Sequence, residues 1–181
     1  MKILLVTAVA ALLACTASAQ ISGSINRNAP TIAQSISMGE NKLEVTYTAI
    51  RFGQGSWQKI LENTAMHEKF NASAEKKPIG TVKTSCVVTA AGKEIPAGEY
   101  AMFFTVHEKA GWILNLKPAN GEAIMWRMML QPSTEKTDCM SICLEPSAKD
   151  AVCALTISFG ESHVKVPVTA GAAPKTEKKE G

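Results

Sequence analysis

The chain has 181 residues, of which 46% are hydrophobic and 19% charged, and its formal net charge is +3. This length is typical of a single domain with its own hydrophobic core. The basic residues are scattered among acidic ones. That pattern argues against a nucleic-acid partner, which calls for a clustered basic face with stacking aromatic side chains.

The amino-terminal segment, residues 1–19, predicts a signal peptide for export. Lys2 gives it a positive start, residues 3–14 form an apolar run, and Ala17-Ser18-Ala19 is the small-residue pattern that signal peptidase accepts. We therefore expect cleavage between Ala19 and Gln20 and a periplasmic or secreted protein. The apolar run is shorter than the roughly 20 residues of a membrane-spanning helix, so no transmembrane span is expected.

A lipoprotein signal is the alternative interpretation of this segment. Leu12-Leu13-Ala14-Cys15 would place a lipid on Cys15 and anchor the protein to a membrane. Signal peptidase cleavage is preferred, because Ala17-Ser18-Ala19 is well placed and Leu13 is unusual beside a lipidated cysteine.

Composition divides the chain after the signal into three parts. We expect an N-terminal arm over residues 20–30, a folded domain over residues 31–169 and a disordered charged tail over residues 170–181. The tail consists mostly of Ala, Gly, Pro, Lys and Glu, a composition that cannot build a core.

The first half of the domain predicts a strand, a helix and a loop after an ambiguous segment, residues 31–38. Residues 41–49 alternate between apolar and polar side chains, which is typical of a strand with one face toward solvent. Residues 56–66 carry apolar side chains at helical spacing, and Ser56 could cap this helix. Residues 67–80 are rich in charge and predict a solvated loop.

The second half predicts a run of strands. Residues 82–88 alternate as a strand, and residues 100–106 are apolar on both faces, as expected for a central strand covered on both sides. Further strands are expected at residues 112–116, 123–131, 137–145, 151–159 and 163–168, with a tight turn at residues 160–162. About eight mostly antiparallel strands with one short helix predict a mainly β protein, a single β-sandwich-like domain.

Four cysteines remain after signal cleavage and could form two disulfides in an oxidising compartment: Cys86, Cys139, Cys143 and Cys153. One register of the hairpin between residues 137–145 and 151–159 places Cys143 opposite Cys153. A register shifted by one residue places Ile142 opposite Cys153, gathers the apolar side chains on one face and separates the two cysteines. We expect a Cys143–Cys153 bridge, with Cys86–Cys139 as the remaining pair.

The sequence shows no motif that is specific for catalysis or for a metal. His67, His107 and His163 lack ligand spacing, and Cys139 and Cys143 would lie about 13 Å apart on an extended strand. No nucleophile motif and no phosphate-binding glycine loop is present. We therefore expect neither a metal nor a cofactor, and we favour a non-catalytic protein over an enzyme.

One stretch resembles a known family. Residues 92–103, Gly-Lys-Glu-Ile-Pro-Ala-Gly-Glu-Tyr-Ala-Met-Phe, resemble the central signature of a bacterial exported family known as domain of unknown function 2911. The resemblance continues through residues 112–117, Trp126-Arg127 and residues 159–167, and it spans roughly residues 30–168. It implies a β-sandwich fold and export, and it implies no established activity.

The chain departs from this family at the family's most distinctive motif, tryptophan-arginine-threonine-glycine-alanine-asparagine-glutamate. The corresponding stretch here is Phe70-Asn71-Ala72-Ser73-Ala74-Glu75, followed by an apparent insertion, residues 76–80. The arginine and the glycine are missing, so a pocket that the motif builds would be lost or changed in this chain. Asn71-Ala72-Ser73 also matches the glycosylation acceptor pattern, which often arises by chance.

Three functional hypotheses follow. The first is an exported, non-catalytic binding module for a small molecule, a glycan or a protein. The second is a hydrolase-like enzyme with a site near residues 70–75, and the third is a structural envelope protein. The candidate ligand-binding residues are Arg51, Asn71, Glu75 and Arg127, because two belong to the altered motif and arginine binds carboxylates and phosphates bidentately.

Overall fold

Two antiparallel β-sheets form the described part of the protein. A computed structural model describes residues 29–51, 56–147 and 153–171. The predicted signal peptide, most of the predicted arm and nearly all of the predicted tail lie outside these residues. The prediction of a mainly β single domain is confirmed, although the structure has two helices where the sequence predicts one.

The described residues form ten strands and two helices. In chain order these are β1 (Thr31–Met38), β2 (Asn41–Thr48), α1 (Ser56–Glu62), α2 (His67–Lys76), β3 (Gly80–Thr84), β4 (Val88–Ala90), β5 (Lys93–Ile95), β6 (Gly98–His107), β7 (Gly111–Pro118), β8 (Ile124–Arg127), β9 (Gln131–Pro146) and β10 (Cys153–Ala170). The larger sheet has the strand order β1-β2-β3-β6-β7-β8, and the smaller sheet has the order β5-β4-β10-β9.

Neither described helix is long and apolar enough to cross a membrane.

Three details of local structure differ from the sequence-based predictions. The predicted solvated loop at residues 67–80 is largely helix α2, whose Glu, Lys and Ala residues favour a helix even though few of them are buried. The predicted helix at residues 56–66 ends earlier, at Glu62, and is followed by a 3₁₀ turn, Thr64–Met66. Strand β10 continues through the predicted turn at residues 160–162. Gly160 has φ 66°, and the register shifts on either side of it, so the strand bends without reversing.

The core lies between the two sheets and is filled from alternate positions of their central strands. Met102 and Val106 of β6 and Leu114 of β7 have no exposed surface, and Ile142 of β9 is equally buried. Phe103, on the other face of β6, is also buried, and α2 packs against this strand. The prediction that residues 100–106 form a central strand covered on both sides is therefore confirmed for residues 103–106, whereas Ala101 is half-buried on the outer face.

The hairpin between β9 and β10 adopts neither of the two predicted registers. Leu144 lies opposite Leu155 and Ile142 lies opposite Ile157, which buries the large apolar side chains together. Cys143 lies opposite Thr156, while Cys153 lies opposite Pro146. Because side chains alternate along a strand, Cys143 points away from the core and Cys153 points into it.

The Tyr100 hydroxyl fixes the turn that leads into β6. It donates a hydrogen bond to the Pro96 carbonyl at 2.8 Å, and burial raises the pKa of the phenol, so the hydroxyl keeps its proton. We expect Tyr100→Phe to lower the free energy of unfolding by about 1 kcal/mol, the usual net contribution of one hydrogen bond. Urea unfolding of the two proteins measures this difference. An unchanged midpoint would show that the bond contributes nothing to stability.

Candidate functional site

The altered motif, residues 70–75, lies on helix α2 and not on a loop. This helix packs against β6 of the larger sheet, and the Phe70 ring meets the Trp112 ring edge-on with centroids 5.4 Å apart. His67, at the start of the helix, is buried, with Nε2 2.9 Å from the Ile60 carbonyl. The motif is therefore part of the scaffold around β6.

Asn71 is fixed by the backbone of β6. Its Oδ1 accepts a hydrogen bond from the Val106 N–H at 2.8 Å, and its Nδ2 donates one to the Val106 carbonyl at 2.9 Å. Both halves of the amide are thus occupied. Since Nδ2 is the atom that would carry a glycan, the acceptor pattern at Asn71 is not available in the folded protein.

Glu75 is paired with a lysine at the surface. Its Oε1 accepts a hydrogen bond from Lys117 Nζ, and the two side chains are 52% and 41% exposed. The hydrogen bond and the charge of Lys117 lower the pKa of the Glu75 carboxyl from its usual value. Such an exposed pair favours the ionised carboxylate, but it contributes little to stability.

The two candidate arginines are exposed and lie far apart. Arg51 follows β2 and forms an isolated bridge with Cys139, whereas Arg127 belongs to β8 at the far edge of the larger sheet. Three strands of the larger sheet, β3, β6 and β7, lie between β2 and β8. Arg127 lies opposite Ile113, four residues along β7 from Lys117. Four residues of strand span about 13 Å, so no cleft gathers the four candidate residues.

All four described cysteines are free thiols, which contradicts the predicted disulfides. A Cys143–Cys153 bridge is excluded by the register, because the two side chains lie on opposite faces of the smaller sheet. Cys86 and Cys139 are free as well, so the second predicted pair is also not formed. Cys143 Sγ lies 3.3 Å from Ser141 Oγ and 3.9 Å from Gln34 Nε2, in a polar environment at the junction of β9 and β1.

Thiol reagents should distinguish these cysteines. Cys153 has no exposed surface, and burial raises the pKa of its thiol, so the reactive thiolate is disfavoured. We expect Cys86, Cys139 and Cys143 to be alkylated in the folded protein and Cys153 only after unfolding. Mass spectrometry after iodoacetamide treatment, with and without urea, gives the order of reaction. Equal rates for Cys153 and Cys143 would contradict the register of the hairpin.

The outer surface of the larger sheet is open over β1, β2, β3 and the first half of β6. We call this surface the open face, and it is formed by Ala33, Ser35, Glu44, Thr46, Thr81, Lys83, Glu99 and Ala101. Each of these side chains is exposed or half-buried. The four strands together span roughly 14 Å.

Two rows of side chains cross the open face. In one row Ser35, Glu44, Lys83 and Glu99 lie opposite one another on consecutive strands. The other row consists of Ala33, Thr46, Thr81 and Ala101, again opposite one another on consecutive strands. The first row alternates in charge, which stabilises the pairing of its strands, and the second is small and neutral. The result is a flat surface with hydroxyl and charged groups along one side.

Neighbouring lysines favour the ionised form of Glu44 in the first row. Lys42 Nζ lies 2.5 Å from Glu44 Oε1. The hydrogen bond from Lys42 is the main reason that the pKa of the Glu44 carboxyl is lowered, and Lys83 adds a smaller attraction. The open face thus presents fixed charges of both signs at neutral pH.

The interior between the two sheets has little space for a ligand. A cavity of about 20 Å³ lies between the sheets and is lined by apolar side chains, among them Trp126, Leu155 and Val168. This is space for about one water molecule. Within the part of the chain that the structure describes, no group of three or more His, Cys, Asp or Glu side chains could hold a metal ion.

Comparisons with protein-family models, with curated proteins and with solved structures gave no match to this chain.

The alternation of β2 identified only the part of the open face that Glu44 and Thr46 form, because it predicted that one side of this strand faces solvent. The rows across the strands could not be predicted, since they depend on which residues of β1, β3 and β6 lie opposite one another. The roles of Asn71 and Glu75 were also missed. Their partners, Val106 and Lys117, are 35 and 42 residues away along the chain.

Proposed function

We propose that this protein is an exported, non-catalytic binding module and that the open face is its contact surface. The observation that carries the proposal is the uncovered stretch of four adjacent strands with small, hydroxyl and charged side chains in two regular rows. Sheet surfaces of this kind suit a broad, flat partner, because many weak polar contacts can form at once without rearrangement of the scaffold.

The partner class that fits best is a protein surface or a glycan chain. The cavity between the sheets is too small for a metabolite, whereas the open face offers Thr46 and Thr81 hydroxyls beside the Glu44 and Lys83 charges. Export is part of the proposal and rests on the predicted signal peptide, and it agrees with the resemblance to the exported family described above.

Asn71 and Glu75 act mainly as scaffold residues in this proposal. The Asn71 amide is engaged on both sides by Val106, and Glu75 is paired with Lys117. Neither contact leaves a cleft in which a substrate could lie against these groups. The binding role is therefore assigned to the sheet surface next to α2.

A single bulky substitution tests the proposal. Thr81 is half-buried near the middle of the open face, so Thr81→Arg would place a long charged side chain on a flat surface without entering the core. We expect at least a tenfold loss of affinity for the glycans or peptides that bind the wild-type protein on arrays. The loss follows because a protruding side chain prevents close approach across the face.

Thr169→Arg is the matched control. Thr169 is also half-buried, but it lies on β10 of the smaller sheet, opposite Thr89. This variant should bind as the wild type does. Equal binding by the wild type and both variants, or equal loss in both variants, would exclude the open face as the contact surface.

A further inference from the structure

Strand β6 extends beyond its pairing with β3. That pairing ends at Met102, where the Ile79 N–H donates the last bond to the Met102 carbonyl at 2.9 Å. The following residues of β6, 103–107, have β7 on one side and α2 on the other. We call residues 103–107 the β6 edge, since no described strand of the larger sheet continues along this side.

Asn71 occupies the position of a neighbouring strand residue at the β6 edge. Its amide both accepts from the Val106 N–H and donates to the Val106 carbonyl. In an antiparallel sheet, a residue of the adjacent strand makes the same pair of bonds through its backbone. The hydrogen-bonding groups of Val106 are therefore arranged for strand pairing, but a side chain satisfies them.

Helix α2 holds this position with few other contacts. His67 is the only buried residue of the helix. Phe70 adds its edge-on contact with Trp112, and Glu75 adds an exposed ion pair with Lys117. Segments with so little buried surface open more readily than the sheets to which they are attached.

The chain after the helix is fixed more firmly. Gly80 begins β3, and a Cβ built on it would lie 2.0 Å from the Thr46 carbonyl oxygen, so the two backbones are in close contact. Ile79 is buried and bonded to Met102 and Thr48, so an opening movement of α2 would pivot at residues 77–78 and leave the sheet intact.

We propose that the β6 edge is a strand-addition site for an extended peptide, and that α2 covers this site in the free protein. The peptide pairs with Val106 through its own backbone and displaces the Asn71 amide. A large apolar side chain of the peptide takes the place of the Phe70 ring on Trp112. This site is separate from the open face and does not depend on it.

Competition between α2 and the peptide gives the proposal a quantitative consequence. The peptide binds only molecules in which α2 is open, so its apparent affinity is proportional to the open fraction. The exchange rate of the Val106 amide hydrogen reports the same fraction, because the amide is bonded to Asn71 when the helix is closed. A variant that loosens α2 but keeps Asn71 must change both quantities by the same factor.

The experiment measures both quantities in four proteins. These are the wild type, Asn71→Ala, Glu75→Lys and the control Glu145→Lys, which disrupts a comparable exposed pair with Lys165 on the smaller sheet. The probe is a fluorescent heptapeptide, Thr-Val-Thr-Phe-Thr-Val-Thr, with blocked ends. A second peptide of the same sequence with alternate backbone amides methylated cannot pair as a strand.

We expect Asn71→Ala to raise the peptide affinity by about thirtyfold, which corresponds to the loss of two hydrogen bonds of about 1 kcal/mol each. Its Val106 exchange rate should rise by at least this factor, because the amide loses its bond to Asn71 in the closed state as well. Glu75→Lys should raise the exchange rate and the affinity by an equal, smaller factor, and Glu145→Lys should change neither. Bound peptide should protect Val106 from exchange, and the methylated peptide should not bind. If Asn71→Ala does not fold, Glu75→Lys carries the same comparison.

Three results would overturn the proposal. One is faster Val106 exchange in Glu75→Lys without a matching gain in peptide affinity. Another is equal binding of the methylated peptide. The last is exchange of Val106 only through global unfolding in the α2 variants that fold, which would show that α2 does not open separately from the sheets.

Discussion

Replacing Gly80 by alanine is expected to destabilise the protein by about 3 kcal/mol or more, a large fraction of the roughly 5–15 kcal/mol that stabilises an ordinary domain. Gly80 lies at the start of β3, where the strand passes closest to β2. A methyl group there would lie 2.0 Å from the Thr46 carbonyl oxygen and 2.7 Å from the Tyr47 Cα. Both atoms belong to the backbone of a paired strand, so the clash cannot be relieved by a rotamer change.

Gly92→Ala is the comparison that separates crowding from backbone conformation. Gly92 has φ 73°, and a Cβ built on it meets no atom within 4 Å. This substitution should cost only the roughly 1–2 kcal/mol of a left-handed conformation. Thermal or urea unfolding of the two variants measures the difference. A Gly80→Ala protein as stable as Gly92→Ala would show that β2 and β3 are not as close as the structure indicates.

Met102→Ala is expected to lower the free energy of unfolding by about 3 kcal/mol, within the usual range for removal of a large buried side chain. Met102 is central in β6, has no exposed surface and lines the cavity between the two sheets. Truncation would therefore enlarge an existing void and remove contacts with both sheets. Nothing in this part of the core can collapse to fill the space without moving a central strand.

Met129→Ala is the matched control for this prediction, because it makes the same chemical change at a side chain that is 62% exposed. Its expected effect is below about 0.5 kcal/mol. Urea titration of the wild type and both variants gives the free energies of unfolding to be compared. Similar losses in the two variants would contradict the placement of β6 between the sheets.

The predicted fold succeeded where periodicity was strong. The alternation in residues 41–49 and the apolar run in residues 100–106 each gave a strand in the expected place. Helix α2 was missed because its sequence is mostly polar and has Phe70 as its only large apolar residue, and its burial comes from His67 and from contacts with distant β6. Such contacts leave no local pattern.

The hairpin register and the disulfide prediction failed together. The predicted register was chosen by the positions of two cysteines, whereas the structure pairs Leu144 with Leu155 and Ile142 with Ile157. Burial of four large apolar side chains outweighs the alignment of two thiols, since each buried side chain contributes about 1.5–3 kcal/mol. The sequence contains both patterns, and only the energies of the competing registers distinguish them.

The candidate site could be predicted only in part. Residues 70–75 were singled out from the sequence, but Asn71 makes its contacts with the backbone of Val106, which any residue could provide. The open face depends on the strand order β1-β2-β3-β6, in which β6 follows two intervening short strands of the other sheet. That order is not visible in the sequence.

The most direct test of the proposed function is a footprint of the bound partner on lysines. Lys83 lies within the open face, and Lys93 is a comparably exposed lysine on β5 of the smaller sheet. The strongest glycan or peptide binder from the array screen is added, and acetylation of each lysine is followed by mass spectrometry. We expect the bound ligand to slow the acetylation of Lys83 and to leave the acetylation rate of Lys93 unchanged. Protection of Lys93 with Lys83 still reactive would place the contact surface on the other sheet and contradict the account.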